Sequence, residues 1–495
     1  MDAVTQQLND LQRRDRRREE LRGVIAMAVP MVIATCTRMV MDVTDYVMIS
    51  RLPEGVAQAA LLPAQLFLWT YLVIGMGIVS IVATFAAQAL GRKRLADCSA
   101  YAWQGLYLAL AFGVAGFGFR PLLPSLVAVV GHEPAVQTLE LQYCNVAIWS
   151  IGPTIAAAAL SSFFNGVHHP RITMWSAVEG IVVNLVVSFC LIFGKLGLPA
   201  MGIAGAAAGT VTATCYRCVR LTVTMCLPRF HQQFRARDTW RLDRAKLLNV
   251  LRFGAPQGGQ WFSDVVVWML FVNVLVGRMF GTTHLIATNI AWQYLRMSFL
   301  PAIGVGMALT SLVGKSIGQG NPQRAVRQTR IALLLCCGYM GLMALIFLIW
   351  RRELIGFFND TPTVVAVGTG VMICAAIFQV FDAMGIVYTS SLRGAGDTLW
   401  PSLMFIVSHW LILIGGGFAI AAFAPGLGSL GPWIAATGLL ILCGLLLWWR
   451  WHARAWMKID IFRHDRDAQD TATRPESSVA SVESDGSKAE TLAGV

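Results

Sequence analysis

Ile331-Ala-Leu-Leu-Leu-Cys-Cys-Gly-Tyr-Met-Gly-Leu-Met-Ala-Leu-Ile-Phe-Leu-Ile-Trp350 runs for twenty residues without a charge. Arg330 precedes it and Arg351-Arg352 follow it. About twenty apolar residues in a helix cross the ~30 Å hydrocarbon core of a bilayer. Leu399 to Ala424 is a second such run. In lipid every backbone polar group needs a partner within the protein, which leaves helices or a closed barrel. Barrel strands alternate apolar and polar residues over roughly ten positions. These runs are continuous and longer, so the fold reads as all-α membrane.

The rest of the chain agrees. Of its 495 residues, 56% are hydrophobic and 13% charged, against roughly 25% charged in a soluble domain. Polar breaks predict about twelve spans: 24–49, 58–83, 98–119, 137–162, 172–194, 200–226, 249–277, 284–313, 331–350, 364–391, 399–423 and 430–450. They group into an N-terminal six-helix bundle (23–226), a connector (227–247) and a C-terminal six-helix bundle (248–451). Residues 1–22 read as an amphipathic cytoplasmic lead-in. They lack the short apolar run and small-residue cleavage site of a signal peptide. Residues 452–495 read as a cytoplasmic tail, expected to be disordered because it turns polar and holds no large apolar cluster.

Charge sets an expected orientation. With the amino terminus inside, the inner segments hold the arginines of 13–22, Arg92-Lys93-Arg94, Arg171, those of the connector, Lys315, Arg324, Arg327, Arg330, Arg393 and the 450–458 cluster. The outer segments hold only Arg51, Arg120, Lys195, Arg278, Arg351 and Arg352. This bias obeys the positive-inside rule and predicts a multi-pass plasma-membrane protein with both ends in the cytoplasm. It accounts for the net charge of +12 through attraction to anionic inner-leaflet lipid, so no nucleic-acid partner is called for. The 11 cysteines are scattered through apolar runs. Cys215-Tyr-Arg-Cys218 has CxxC spacing but no second pair to complete a four-ligand zinc site, so packing is the reading. No cofactor is expected.

The chain also repeats itself. Pro30 in Ala28-Val-Pro-Met matches Pro256 in Gly254-Ala-Pro-Gln. Gln88-Ala-Leu-Gly91 and Lys315-Ser-Ile-Gly318 each precede a basic turn. Ser162-Phe-Phe-Asn-Gly166 with Pro170 matches Ser390-Ser-Leu-Arg-Gly394 with Pro401, and Met201-Gly202 matches Leu430-Gly431. The main offsets are all close to 226–229 residues. Six spans per half give both halves one orientation, related by a pseudo-two-fold axis along the membrane normal, an arrangement used by transporters.

Four segments resemble the multidrug and toxic compound extrusion (MATE) family, and its NorM-like branch in particular. They are Val43-Thr-Asp-Tyr-Val-Met-Ile-Ser50, Ala86-Ala-Gln-Ala-Leu-Gly91, Phe253-Gly-Ala-Pro-Gln257, and Phe378-Gln-Val-Phe-Asp382 through Leu392-Arg-Gly-Ala-Gly-Asp-Thr398. The resemblance covers roughly residues 22 to 455. It implies two six-helix bundles facing a central cavity. It also implies a secondary antiporter that exports organic cations or other amphipathic compounds in exchange for H+ or Na+, acting as a monomer.

A charge at mid-bilayer costs at least about 2.5–3.5 kcal/mol, so each one in a span calls for a reason. Arg38, Asp42 and Asp45 share one helical face, which favours a local Arg38–Asp42 ion pair and leaves Asp45 the freer carboxylate. Asp45 resembles the family's first-helix Asp and is a candidate for ion coupling. A carboxylate in a poorly solvated cavity can take a proton near neutral pH. Asp264 is a second candidate, although the resembling branch carries Glu in this region; the alternative is an Asp satisfied by Gln260 or Ser263. Asp382 resembles the family's tenth-helix Asp and is the leading candidate. Two carboxylates from different helices can enclose Na+ or share a proton.

Arg296 stands with Asn289 and Gln293 at helical spacing. It is expected either to act as counter-ion to Asp264 or Asp382 or to snorkel to a headgroup. His409 can change charge near neutral pH; a simple hydrogen bond is the competing reading. Glu179 and Asn184 are expected to line the N-terminal half of the cavity, and Gln379 to support Asp382. Trp261 and Trp292 are the aromatic residues expected to meet a cationic substrate. Pro30 and Pro256 read either as kinks or as first-turn prolines.

GxxxxGK[ST] and HExxH are absent, which argues against an ATP-driven pump and against an HExxH-type zinc hydrolase in this chain. The inner loops offer Arg and Lys without a matching His/Asp set, so no enzyme is expected. A flippase of lipid-linked oligosaccharides, found among relatives of the same fold, would need more base in the cavity. A channel suits two repeats less well than alternating access does.

Overall fold

A computed structural model describes residues 2–52, 56–130 and 132–462, with side chains from Arg18 onward except at positions 42, 56, 129 and 130. The Asp42 side chain and the tail beyond Phe462 therefore lie outside the described residues. Residues up to Met457 form one compact unit. Lys458 begins a second, in which the Phe462 N–H donates to Asp460 Oδ1 at 3.0 Å.

The first unit is helical throughout its long elements. In chain order they are α1 (Asp2–Ile49), α2 (Val56–Ser80 continued by Val82–Gly91), α3 (Leu95–Gly118), α4 (Pro134–Ala147 continued by Ile151–Gly166), α5 (Pro170–Phe193) and α6 (Ile203–Cys226). The second set is α7 (Arg244–Leu270 continued by the wide turns of Phe271–Arg278), α8 (Thr282–Gly318), α9 (Pro322–Ile349) and α10 (Pro362–Ala395). It ends with α11 (Leu399–Ser408, wide turns at His409–Gly416, then Gly417–Phe423) and α12 (Leu430–His452). Among the described residues, 11 helices are long and apolar enough to cross a membrane. The twelfth expected span, α6, falls short of that measure because it carries Arg217, Arg220 and several threonines.

Local chemistry explains the helix ends. Pro134, Pro170, Pro322 and Pro362 open their helices, where the missing N–H has no helical partner to lose. Asp243 caps α7 by accepting from the Ala245 and Lys246 N–H groups, and Asn321 caps α9 from the Arg324 N–H. Pro30 and Pro256 lie inside α1 and α7 rather than in a first turn. The connector is strapped to α3. Ser99 and Trp103 donate to the carbonyls of Phe234 and Ala236, and Gln104 donates to that of Arg241.

The two halves meet through close backbone approaches. A Cβ on Gly77 of α2 would lie 2.7 Å from the Gly258 Cα of α7. A Cβ on Gly304 of α8 would lie 2.6 Å from the Val32 Cα of α1. Gly77 and Gly304 are 227 residues apart, and Val32 and Gly258 are 226 apart, so one crossing repeats the other about the pseudo-two-fold. At the ends of α2 and α8, Gly91 faces Gly318 in the same way, at 2.8 Å. Thr84 and Gln88 add hydrogen bonds to the Arg393 and Gly394 carbonyls, each 3.0 Å. Val24, Met27, Ala28 and Met31 of α1 pack on Ala308 and Leu312 of α8. These contacts run along α2 and α8 towards the turns at 92–94 and 319–321.

The repeat also corrects one sequence landmark. Gly202 and Gly428 share an unusual backbone conformation (φ 53, ψ −126 and φ 55, ψ −140). Leu427-Gly428, rather than Leu430-Gly431, is therefore the counterpart of Met201-Gly202.

His168, between α4 and α5, reaches the seam. It is packed near Ser311, Lys315 and Arg324, and its Nε2 is buried without a partner. Burial foremost, and then the Lys315 charge, push its imidazole from 6.5 down to about 3. The unfolded chain therefore takes the proton first. The stability contributed here is complete above the ordinary histidine range and falls as pH drops through it, by up to about 1.4 kcal/mol per pH unit.

Two measurements follow from the seam. Gly77→Val should destabilise the protein by about 1–3 kcal/mol through overpacking. Gly338→Ala in α9, where a Cβ meets nothing within 4 Å, should be neutral or stabilise by up to about 1 kcal/mol. Melting in detergent, followed by tryptophan fluorescence, separates the two; equal melting points would mean that the crossing has slack. In the same assay, His168→Gln should flatten the loss of melting temperature between about pH 7 and pH 5. An unchanged slope would show that His168 is already solvated.

Candidate functional site: a cavity with two carboxylates

Five helices of the second half and two of the first enclose a cavity of about 510 Å³. On α7, Gln260 and Asp264 stand four residues apart and share a face with Trp261 alongside; all three line the cavity. On α10, Asp382, Thr389 and Arg393 follow one another at spacings of seven and four, again on one face. Trp292, Leu295, Phe299 and Ile303 of α8 form an apolar wall, with Leu440 and Cys443 of α12 opposite. Trp268 packs its ring 4.7 Å from that of Trp292. Thr84 of α2 and Ser162 and Asn165 of α4 complete the lining beside the seam.

The electrostatics of the site are specific. Asp264 Oδ1 lies 3.8 Å from His409 Nε2. His409 Nδ1 is 2.7 Å from the Phe405 carbonyl, so Nδ1 carries the donated proton. In a neutral imidazole Nε2 would then turn a lone pair towards the carboxylate. The pair is attractive only with a further proton on one of them, or with a cation between them. His409 is also the first residue of the wide turns of α11; such turns are frequent at functional sites. Gln260 Oε1 accepts from Arg393 Nη2 and from Ser402 Oγ, both at 3.2 Å. That orients its amide nitrogen as the donor for Asp264. Ser263 instead accepts from Trp410 Nε1 at 3.1 Å.

Asp382 differs from Asp264. Phe378, Phe381 and Ile386 line the wall around it. It makes no hydrogen bond or ion pair with any described residue.

Other expected residues lie elsewhere. Arg296 is not a lining residue; His409 and Arg393 act on Asp264 in its place. With Asn289 and Gln293 it occupies the strip of α8 that continues to Leu300, whose carbonyl accepts from Thr35 of α1 at 3.4 Å. The lining strip runs alongside. Gln379 donates to Ser298 Oγ at 2.7 Å and ties α10 to α8 away from the cavity. In the first half, Asp45 is buried, and both Asp45 and Arg38 act electrostatically on Tyr143. Arg38 sits 5.4 Å over the Trp69 ring. Asn184 is buried and donates to Ser188 Oγ at 3.2 Å. Glu179 accepts from Tyr216 at 3.0 Å and from Arg220 Nε at 3.2 Å, on a partly exposed surface. None of these four lines the 510 Å³ cavity.

Arg393, Ser162 and Asn165 are among the lining residues that sequence reasoning passed over as site residues. The signal was present: Ser162 and Asn165 are the repeat counterparts of Ser390 and Arg393, and all four line the cavity.

These features define a multi-pass helical membrane protein with a largely apolar cavity that holds two carboxylates, lined by residues of both related halves. A family model described as MatE matches residues 30–190 and 264–418, and the chain belongs to that family. Similar proteins include the probable multidrug resistance protein NorM of Mesorhizobium japonicum, 28% identical over 446 residues, with 88% of this chain and 94% of that one covered. Its namesake in Rhodopseudomonas palustris is 30% identical over 445 residues, with 88% and 92% covered. Among solved structures, an outward-facing multidrug resistance MATE transporter of the MOP superfamily superposes with a TM-score of 0.78. It is 18% identical and covers 89% of this chain and 97% of its own. A MATE in the straight conformation gives 0.79 at 17% identity, over 89% and 97% of the two chains.

Arg393→Gln removes a positive charge beside Asp264. Tetraphenylphosphonium, a fixed cation, should then bind more tightly, on the order of tenfold for about 1.4 kcal/mol. Equilibrium dialysis of the purified protein measures this. Unchanged or weaker affinity would show that the guanidinium does not act on a bound cation.

Proposed function

We propose that the chain is a secondary antiporter that exports amphipathic organic cations in exchange for protons or sodium ions. The observation that carries this reading is Asp382, a carboxylate without a hydrogen-bond or ion-pair partner among the described residues, in an aromatic-lined cavity that it shares with Asp264. An ionised carboxylate held away from water costs several kcal/mol unless a cation neutralises it. A proton, a sodium ion or the charged end of a substrate can each do so, and each excludes the others. That competition is the elementary coupling step of exchange. Trp261, Trp268 and Trp292 offer the substrate ring faces for cation–π contact. His409 stands 3.8 Å from Asp264 on the far side from Gln260.

The glycine seam serves as the gate on the basic-turn side, which faces the cytoplasm in this reading, as do both chain ends. The working units are residues 23–226 and 248–451, joined by the connector 227–247, in a cell inner membrane. The names of the relatives, multidrug resistance proteins, support the substrate class. A flippase for lipid-linked pyrophosphates is less well supported, since the cavity sets two carboxylates against the one guanidinium of Arg393.

The test is efflux of a fluorescent organic cation from proteoliposomes under a proton gradient or a sodium gradient imposed separately. One gradient should drive efflux, and Asp382→Asn should lower the driven rate at least tenfold, about 1.4 kcal/mol. Efflux that ignores both gradients would overturn antiport. Efflux that is driven but untouched by the substitution would move coupling away from Asp382.

A further inference from the structure

A second cavity lies apart from the carboxylate site, along the wall between α1 and α5. It holds about 590 Å³, within the roughly 300–1,000 Å³ usual for ligand pockets. The two helices pack side by side. They are the first and fifth spans, so they cross the membrane in the same direction. On α1, Val43, Val47 and Arg51 line the groove at spacings of four. On α5, Leu185, Phe189 and Phe193 do the same, and Lys195 follows within two residues of the helix end. Each strip thus ends in a cation after about 12 Å of apolar wall, at about 1.5 Å per residue. Val43, Val47, Leu185 and Phe189 are exposed, so the groove opens sideways to lipid.

Packed backbone sets the two cations at one mouth. Gly194 takes φ 65 and turns the chain back at the end of α5. The Lys195 N–H donates to the Cys190 carbonyl at 2.9 Å, and the Met201 N–H donates to the Leu191 carbonyl at 2.8 Å. Leu52, next after Arg51, reaches this turn: its Cδ1 lies 4.0 Å from where a Cβ on Gly202 would stand. The Arg51 and Lys195 side chains make no hydrogen bond or ion pair with any described residue. No carboxylate lines the groove; Asp45 of α1 is buried and does not reach it. The internal repeat does not account for the pair. At the 226-residue offset of the prolines, Arg51 and Lys195 correspond to Gly277 and Ala421.

We propose that this groove binds one anionic phospholipid, its phosphate between Arg51 and Lys195 and one acyl chain along the wall of α1 and α5. The length suits a lipid. Half of a ~30 Å hydrocarbon core is about 15 Å, so an apolar wall of about 12 Å brings the cations close to headgroup depth. The charge selects the headgroup. Two cations without an acid favour a net negative lipid, whereas the amine of a zwitterionic one would add a third positive charge. A small free anion would use the cations and leave the apolar wall unused. The site is separate from the export cavity, and its occupancy does not depend on antiport.

The probe is a phosphatidylglycerol with a photoactivatable diazirine near the end of one acyl chain. The full chain is irradiated with it in phosphatidylcholine nanodiscs, and cross-linked peptides are mapped by mass. Cross-links should gather on residues 43–48 and 185–193. The same probe with a choline headgroup should label these segments about tenfold less, as expected for two cations near an anionic headgroup. The double substitution Arg51→Gln, Lys195→Gln should bring the phosphatidylglycerol labelling down to the choline level and leave labelling of other segments unchanged. Leu185→Trp keeps both cations but obstructs the wall, and should lower the labelling as well; it serves where the double variant does not fold. Equal labelling by the two probes would reduce the groove to ordinary lipid contact and overturn the proposal. Displacement of the probe by millimolar glycerol phosphate would also overturn it, by assigning the cations to a small free anion.

Discussion

The organisation of this protein depends on main chain meeting main chain across the middle. In lipid, apolar side chains gain little by leaving their solvent, so helices associate through close packing and hydrogen bonds. Gly77 against Gly258 and Gly304 against Val32 provide two symmetric crossings of that kind. They fix where α2, α7, α1 and α8 pass one another, and so fix the edge of the cavity that Thr84, Ser162 and Asn165 line. The tie from Thr84 to the Arg393 carbonyl joins the seam to a helix that carries a cavity charge.

The charges of the interior follow from the same symmetry. The repeat that relates backbone to backbone does not preserve side-chain sign: α7 carries Asp264 at the position where α1 carries Arg38. Around Asp264 the arrangement is graded. Arg393 reaches Gln260, Gln260 reaches Asp264, and His409 stands on the other side at 3.8 Å. Asp382 has no such company among the described residues. Two carboxylates in one cavity are thereby made chemically unlike, one embedded in a network and one bare, which is how a single site can favour different ions at different points of a cycle.

Much of the fold was legible in the sequence, because length and hydropathy report directly on a membrane span. The predicted run 399–423 coincides with α11, and 172–194 differs from Pro170–Phe193 by two residues at most. The repeat offset found in four short motifs reappears in the glycine crossings. Helix rotation was less legible. A leucine facing lipid and a leucine facing protein are the same residue to a hydropathy argument, so periodicity does not say which strip of α8 meets the cavity. That is why Arg296 was open to two readings, counter-ion of the carboxylates or headgroup anchor; it lies on the strip beside the lining one. Arg393 shows the converse: at a span end beside a turn it looks like a membrane anchor. Its role follows only from the way Gln260 is held, with Ser402 from α11 on the same oxygen.

The main-chain character of the seam has a consequence for how such a protein diversifies. A seam made mainly of carbonyl oxygens, Cα atoms and absent side chains offers, Thr84 apart, little that a substitution in the cavity can alter. Conversely, most cavity side chains hang from helices whose crossing points they do not touch. Selection can therefore rewrite the guest list of the cavity, swapping tryptophan for methionine or carboxylate for amide, without renegotiating how the two halves close. Chemical breadth and mechanical reliability are inherited on separate parts of the chain.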